Sequence, residues 1–213
     1  MDFLHQVVDL FLHLDKHLAE IIGHYGGWTY AILFAVVFCE TGLVVTPFLP
    51  GDSLLFAVGT FAGMGSLDVR VVVPLLLLAT FLGDNVNYFI GKKVGRRAFS
   101  GELRFVKREY LTRTEAFYER HGPRTVILAR FVPIVRTFAP FVAGVGAMPY
   151  HRFIGYSLAG ALLWVGLLVL SGYFFGTIPV VRDNFSIVVL AIIAISLMPM
   201  VVQFVRARRA SPA

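Results

Sequence analysis

Four charged residues stand where an apolar chain segment should carry none. Glu40 and Asp52 fall within one apolar segment, and Arg130 and Arg136 fall within another. A charge near the centre of a bilayer costs about 2.5 to 3.5 kcal/mol, so four unpaired charges would cost on the order of 10 kcal/mol. We therefore expect these side chains to meet each other, water or a ligand.

The types of these residues indicate the chemistry they could do. A carboxylate buried beside apolar helices can load and release a proton, which suits Glu40 and Asp52. Arginine stays charged and donates bidentate hydrogen bonds to carboxylate or phosphate, so Arg130 and Arg136 form a candidate anion site. The alternative is structural, with the four charges forming ion pairs that only hold the two segments together.

A further polar cluster follows the first charged segment and consists of Asp84, Asn85, Asn87 and Tyr88. Its spacing places Asp84 and Tyr88 on one helical face, with Asn87 alongside. Hydrogen bonding between helices is one interpretation of this cluster, and a direct part in transport is the other. The remaining candidate supporting residues lie beside the four charges: Pro47, Pro50, Gly51, Ser53, Pro133, Thr137 and Pro140.

Composition indicates that a membrane surrounds these charges. Hydrophobic residues make up 57% of the chain and charged residues 15%, so the chain could not cover a soluble core with polar surface. A helix of about 20 apolar residues crosses a bilayer of about 30 Å. We expect spanning helices at residues 70–91, 153–181 and 184–206.

Basic residues predict the orientation of these spans. Lysine and arginine are concentrated in residues 92–124 and again close to the C-terminus. The positive-inside rule predicts that both regions are cytoplasmic. Topology and anionic lipid then explain the net charge of +6, and we expect no nucleic-acid partner.

The second charged segment, residues 125–150, is predicted to enter and leave the membrane on one side. It lies between the basic segment 92–124 and Arg152, which are both expected in the cytoplasm. Pro133 and Pro140 are placed to break its helix near the tip. These features predict a re-entrant hairpin.

The first charged segment, residues 28–67, repeats this pattern of apolar arm, proline break and apolar arm. Pro47, Pro50 and Gly51 lie in its middle, and Asp52 is the expected N-cap of the second arm. Whether its first arm crosses the membrane completely stays open, and so does the side on which the N-terminus lies.

Residues 1–24 place their polar side chains on one stripe at about 100° per residue, which predicts an amphipathic helix at the membrane interface. His13 and His17 are one helical turn apart in this stripe and could hold a metal. The stripe explains them without one, so we expect no metal and no cofactor.

Together these elements predict one all-α integral membrane domain over residues 1–213. Its core is an inverted repeat of re-entrant hairpin plus transmembrane helix, with the N-terminal amphipathic helix before it and one extra C-terminal transmembrane helix after it. Inverted repeats with discontinuous helices recur in secondary transporters. No histidine lies within either hairpin, so we expect no phosphoryl-transfer enzyme.

At the two hairpins the sequence closely resembles the DedA family of membrane proteins, which share the VTT or SNARE-associated domain. The similarity covers roughly residues 28–202. The matching text is F-C-E-T-G-L-V-V-T-P-F-L-P-G-D-S-L-L-F from Phe38, G-D-N-V-N-Y-F-I-G from Gly83, L-A-R-F-V-P-I-V-R-T-F-A-P-F-V-A-G from Leu128, G-A-L-L-W-V from Gly160 and G-Y-F-F-G from Gly172.

The resemblance implies a multi-pass inner-membrane protein with two facing re-entrant hairpins, acting as a proton-coupled transporter or a lipid flippase. Some members are implicated in returning undecaprenyl phosphate across the membrane, and others in handling phospholipids or in tolerance of alkaline pH and cationic drugs. Two acids and two arginines are functionally required in that family. By motif they match Glu40, Asp52, Arg130 and Arg136.

We therefore predict proton-coupled flipping of a phosphate-bearing lipid, such as undecaprenyl phosphate or a phospholipid. The arginines would take the phosphate while the acids change protonation, so the expected partners are an anionic lipid headgroup, protons and the bilayer. A proton-coupled cation or drug antiporter is the alternative transporter. A membrane scaffold with structural ion pairs and an enzyme acting on lipid phosphates are alternatives of other classes, and formation of a homo-oligomer stays open.

Overall fold

The computed structural model describes residues 14–43, 51–99, 124–146, 148–195 and 198. These residues form helices and no strand, which confirms the predicted all-α class. Several sequence predictions concern positions outside this part of the chain. They are the first half of the amphipathic helix with His13, the proline break at Pro47 and Pro50, and most of the basic segment 92–124.

The helices vary greatly in length. In chain order they are α1 Leu14–Tyr25, α2 Trp28–Gly42, α3 Gly51–Gly63, α4 Val69–Phe99, α5 Arg124–Ala129, α6 Pro133–Val145, α7 Tyr150–Phe175, α8 Pro179–Asp183 and α9 Phe185–Ile195. The 27 residues Val69–Gly95 of α4 and the 26 residues of α7 are long and apolar enough to cross a membrane. At 1.5 Å per residue, a helix of 26 residues is about 39 Å long, which exceeds a hydrocarbon core of about 30 Å.

Prolines and their neighbours explain where two of these helices begin and end. Pro133 is the first residue of α6, where its missing N–H has no partner within the helix to lose. α7 ends at Phe175, earlier than the span to residue 181 that the sequence predicts. Ile178 is extended before Pro179, because the residue before a proline is disfavoured in the helical conformation.

Two predictions about local structure are wrong. Pro140 lies inside α6, which continues from Pro133 to Val145, so it does not break the hairpin. A proline within a helix removes one hydrogen bond and can kink the helix without ending it. Asp52 is not the N-cap of α3, because the helix begins at Gly51 and Asp52 lies within its first turn.

The described residues divide into two compact units. The first contains residues 14–32, 51–73 and 166–195. There α3 approaches the C-terminal part of α7 so closely that a Cβ at Gly59 would stand 2.1 Å from the carbonyl oxygen of Val169. A Cβ at Gly172 would stand 2.0 Å from the carbonyl oxygen of Phe56. Small residues on both helices thus permit contact between their backbones, as is common between membrane helices.

The second unit contains residues 33–43, 74–99, 124–146 and 148–165. Here α4 and α6 pack in the same manner, because a Cβ at Gly91 would meet the carbonyl oxygen of Phe141 at 2.0 Å. Tyr88 stacks on Phe153 with ring centroids 4.4 Å apart, in a buried cluster that also contains Val126 and Ala143. This unit contains three of the four charged residues singled out above.

Candidate functional site

The first ion pair of the site joins α2 to α6. Glu40 lies in the last turn of α2, and Arg136 lies in the first turn of α6. The Arg136 guanidinium donates a hydrogen bond to Glu40 Oε1. Arg136 is only 8% exposed and Glu40 only 1%, so the pair is removed from water.

The second ion pair joins the turn between α5 and α6 to the middle of α4. The Arg130 guanidinium donates to Asp84 Oδ2, and the hydroxyl of Ser157 in α7 donates to the same oxygen. All three side chains are buried. From the sequence we expected the two arginines to pair with Glu40 and Asp52, and Asp84 to have only a supporting role. The structure instead pairs Arg130 with Asp84.

An indole connects the two pairs. Trp164 of α7 is 2% exposed, and its ring centroid lies 4.7 Å from Cζ of Arg136 and 5.9 Å from Cζ of Arg130. Both distances suit cation–π attraction between a guanidinium and an aromatic face. We call Glu40, Asp84, Arg130, Arg136 and Trp164 the charged cluster.

The charged cluster is balanced when all four ionisable groups are charged. Two carboxylates and two guanidiniums give a formal charge of zero, and each guanidinium has a carboxylate beside it. Such pairs compensate the high cost of burying each charge, whereas loss of one partner leaves a charge alone in a medium of low dielectric constant. An anion that enters the site must therefore compete with Glu40 or Asp84 for a guanidinium.

Asn87 links the elements that carry the first ion pair. Its amide nitrogen donates to the carbonyl oxygen of Thr41 at 3.1 Å and to that of Thr137 at 2.7 Å. Thr41 follows Glu40 in α2, and Thr137 follows Arg136 in α6. Among the described residues, the buried Oδ1 of Asn87 has no hydrogen-bond partner.

Other members of the predicted polar cluster also bond across elements. The hydroxyl of Tyr88 donates to the carbonyl oxygen of Met148 at 2.5 Å. The hydroxyl of Tyr150 donates to Oδ1 of Asn85 at 2.7 Å. This is the hydrogen bonding between helices that one of the two interpretations of this cluster expects.

Of the remaining predicted site residues, Pro47 and Pro50 lie outside the described part of the chain, and Pro133, Thr137 and Pro140 belong to α6. Gly51, Asp52 and Ser53 form the first turn of α3, where the positive end of the helix dipole favours the Asp52 carboxylate. Ser53 is fully buried, and its hydroxyl has no hydrogen-bond partner among the residues described. No group of three or more residues of metal-ligating type occurs in the ranges that the structure covers.

Sequence reasoning missed the contribution of α7. Ser157, Gly160 and Trp164 all contact residues of the charged cluster. The available signal was the position of Trp164 in the middle of an apolar span, because tryptophan in membrane helices is enriched at the interfaces instead.

Comparison with known proteins extends these observations. The VTT domain family model matches residues 49–174. The chain is 53% identical to "Protein DedA" of Escherichia coli strain K12, with 99% of the chain and 98% of that protein covered. No solved structure matches the chain.

Two less similar relatives are named as membrane proteins. The chain is 42% identical to "Uncharacterized membrane protein Rv0364" of Mycobacterium tuberculosis strain H37Rv, with 88% of the chain and 84% of the relative covered. It is 32% identical to "Inner membrane protein YghB" of Escherichia coli strain K12, with 80% and 75% covered.

Proposed function

The chain belongs to the DedA family of membrane proteins with a VTT domain, and we propose that it is a multi-pass inner-membrane transporter that flips a phosphate-bearing lipid with protons as the coupling ion. One observation carries the proposal. Two buried arginines both lie against Trp164, and each is paired with a carboxylate that a proton can neutralise. Guanidinium groups bind phosphate by bidentate hydrogen bonds.

The proposed cycle exchanges one anion for another. In the lipid-free state Glu40 and Asp84 neutralise Arg136 and Arg130. Protonation of a carboxylate removes its negative charge, so the guanidinium becomes available to a phosphate headgroup. Deprotonation returns the carboxylate to its arginine and releases the lipid.

The proton gradient has enough energy to bias this exchange. A membrane potential of about 100 mV is worth about 2.3 kcal/mol for each charge that crosses. Since about 1.4 kcal/mol corresponds to a factor of ten, one coupled proton biases the cycle more than tenfold. Asp52, in the first turn of α3, is the proposed further acid of this cycle on the basis of the family motif.

The proposal includes the inverted repeat of residues 28–91 and 125–181. The glycine contacts support it, because α3 packs on α7 in one unit and α6 packs on α4 in the other. In each case the later arm of one predicted hairpin contacts the spanning helix of the other repeat. Two-fold related halves should repeat such a contact.

Reconstituted vesicles test the proposal directly. The purified chain is placed in vesicles containing polyprenyl phosphate or a phospholipid, and an impermeant phosphatase or label reports the lipid that reaches the outer leaflet. Wild-type protein should move a phosphate lipid faster when a pH gradient is imposed. Arg136→Gln should abolish movement, whereas the matched control Arg182→Gln, in an exposed pair with Asp183 at 3.5 Å, should not.

Glu40→Gln tests the coupling step. Because the amide cannot ionise, this variant should lose the response to pH while remaining inserted in the membrane. Normal transport by Glu40→Gln at every pH would show that proton coupling through this residue is wrong.

The same vesicles distinguish the alternatives. Proton release upon addition of a cation, without lipid movement, would indicate a cation or drug antiporter. Phosphate release by the purified chain would indicate an enzyme. Full function in Glu40→Arg combined with Arg136→Glu would support a scaffold, because a purely structural pair tolerates exchange of its signs.

A further inference from the structure

One face of α7 contacts both arginines and one acid of the charged cluster. Ser157, Gly160 and Trp164 are spaced by three and four residues, so they lie on the same side of the helix. Ser157 donates to Asp84, and Trp164 lies against Arg136 and Arg130. This side of α7 thus forms one wall of the charged cluster, in addition to the contacts that the four charged residues make with each other.

Gly160 leaves room for Arg130 on this wall. A Cβ at Gly160 would stand 3.1 Å from Nε of Arg130, closer than most such contacts, and 3.5 Å from its Cδ, an ordinary van der Waals distance. One helical turn later, the indole of Trp164 covers the same guanidinium. The wall therefore determines both where the Arg130 side chain can lie and which surface its charged group contacts.

The contact with Trp164 differs from the ion pairs in one respect. A carboxylate loses its attraction for a guanidinium when it is protonated or displaced by another anion. The indole of tryptophan does not titrate at physiological pH. Its attraction for a cation therefore persists whether the carboxylate is protonated or displaced. The indole can therefore hold the two guanidiniums in place during the step in which their carboxylates leave.

We propose that Trp164 is a positioning residue of the anion site, which keeps the guanidiniums of Arg130 and Arg136 together so that one phosphate group engages both. This inference rests on the proposed function, because it assigns a phosphate ligand to the two arginines. Trp164 itself makes no hydrogen bond to the phosphate and acts through the arginines.

Intrinsic fluorescence provides a readout that does not depend on transport. The chain has two tryptophans, Trp28 and Trp164, and Trp28 is exposed at the start of α2. Trp28→Phe leaves Trp164 as the only indole. Titration of this variant with dodecyl phosphate should change its emission saturably, while the neutral detergent dodecyl maltoside should not. Adding Arg136→Gln should remove the response.

Transport kinetics then separate positioning from packing. Trp164→Leu should raise the concentration of lipid phosphate at half-maximal rate about tenfold, because two cation–π contacts are lost. Trp164→Phe should restore most of the affinity, since it retains an aromatic face. Phe153→Leu is the matched control, because Phe153 is a fully buried aromatic residue of the same helix that stacks on Tyr88. It should lower the melting temperature without changing half-saturation.

The outcomes distinguish this inference from the proposed function. Wild-type vesicles that move no phosphate lipid would overturn the function, while a fluorescence response that Arg136→Gln removes would still support the positioning role. An unchanged half-saturation in Trp164→Leu, or an equal increase in Phe153→Leu, would overturn the positioning role. If Trp164→Leu does not fold, an absent fluorescence response in Trp28→Phe overturns it equally.

Discussion

At the scale of single residues, the buried charges depend on particular partners. Arg130 is bonded to Asp84, and Ser157 shares the same carboxylate oxygen. Removal of one partner from a buried pair costs about 3 to 5 kcal/mol, whereas removal of both can be nearly neutral. The contribution of such a pair therefore appears only when single and double variants are compared.

A double-mutant cycle on Asp84 and Arg130 should reveal this coupling. Asp84→Asn and Arg130→Gln should each destabilise the protein by about 3 kcal/mol, because each leaves an uncompensated buried charge. The double variant should be less destabilised than the sum, with a coupling of about 1 kcal/mol or more. Denaturant unfolding in a mild detergent measures all three, and strictly additive losses would contradict the pairing.

Asn87 is predicted to align the Glu40–Arg136 pair. Asn87→Ala removes the hydrogen bonds to two buried carbonyl oxygens, at Thr41 and Thr137, and should cost about 1 to 3 kcal/mol. Lipid transport should fall as well, because both carbonyls adjoin residues of the pair. Asn85→Ala is the control, since Asn85 donates to Phe81 in its own helix and accepts from Tyr150. It should lower transport much less.

At the scale of elements, helix contacts depend on glycines at fixed positions. A Cβ at Gly59 would meet the backbone of Val169 at 2.1 Å and that of Tyr173 at 3.0 Å. Backbone atoms cannot rotate away as a flexible side chain can, so α3 and α7 would have to separate. Gly166 lies in α7 with nothing within 4 Å of its added Cβ.

Alanine at these two glycines should therefore have opposite effects. Gly59→Ala should destabilise the protein by about 1 to 3 kcal/mol through overpacking. Gly166→Ala should be neutral or stabilising by up to about 1 kcal/mol, because alanine favours the helix. Thermal unfolding in detergent measures both. Equal effects of the two substitutions would contradict the close approach of α3 and α7.

At the scale of the whole molecule, the sequence predicted those features that follow from one local property, such as the free-energy cost of a buried charge or the missing N–H of a proline. Charges in apolar segments must be compensated, which predicts that Glu40 and Arg136 find partners. The helix start at Pro133 follows from its missing N–H. Two other features depend on tertiary packing, which a local sequence pattern does not predict. They are the continuation of α6 through Pro140 and the pairing of Arg130 with Asp84. The position of Trp164 in the middle of its span was a signal, but its contacts with Arg130 and Arg136 likewise depend on tertiary packing.

Helix length and one cavity together predict a side for α1, which the sequence left open. The positive-inside rule predicts that Lys93 lies near the cytoplasmic end of α4, and if α4 spans a bilayer of about 30 Å its start at Val69 is expected on the opposite side. In the first unit, Lys16 of α1 lines a cavity of about 190 Å³ together with Met64 and Arg182. Met64 follows α3 and lies five residues before α4 begins. We therefore predict that the C-terminal half of the amphipathic helix lies on the non-cytoplasmic side.

Cysteine labelling tests this orientation. Cys39 is the only cysteine, so Cys39→Ser gives a background without thiols. In that background, Lys16→Cys and Arg182→Cys should react with an impermeant maleimide in right-side-out vesicles, while Lys93→Cys should react only after permeabilisation. Labelling of Arg182→Cys with protection of Lys16→Cys would contradict the side assigned to α1. Labelling of Lys93→Cys alone in intact vesicles would show that the whole chain has the opposite orientation, and the proposed direction of proton movement through the charged cluster would then be reversed.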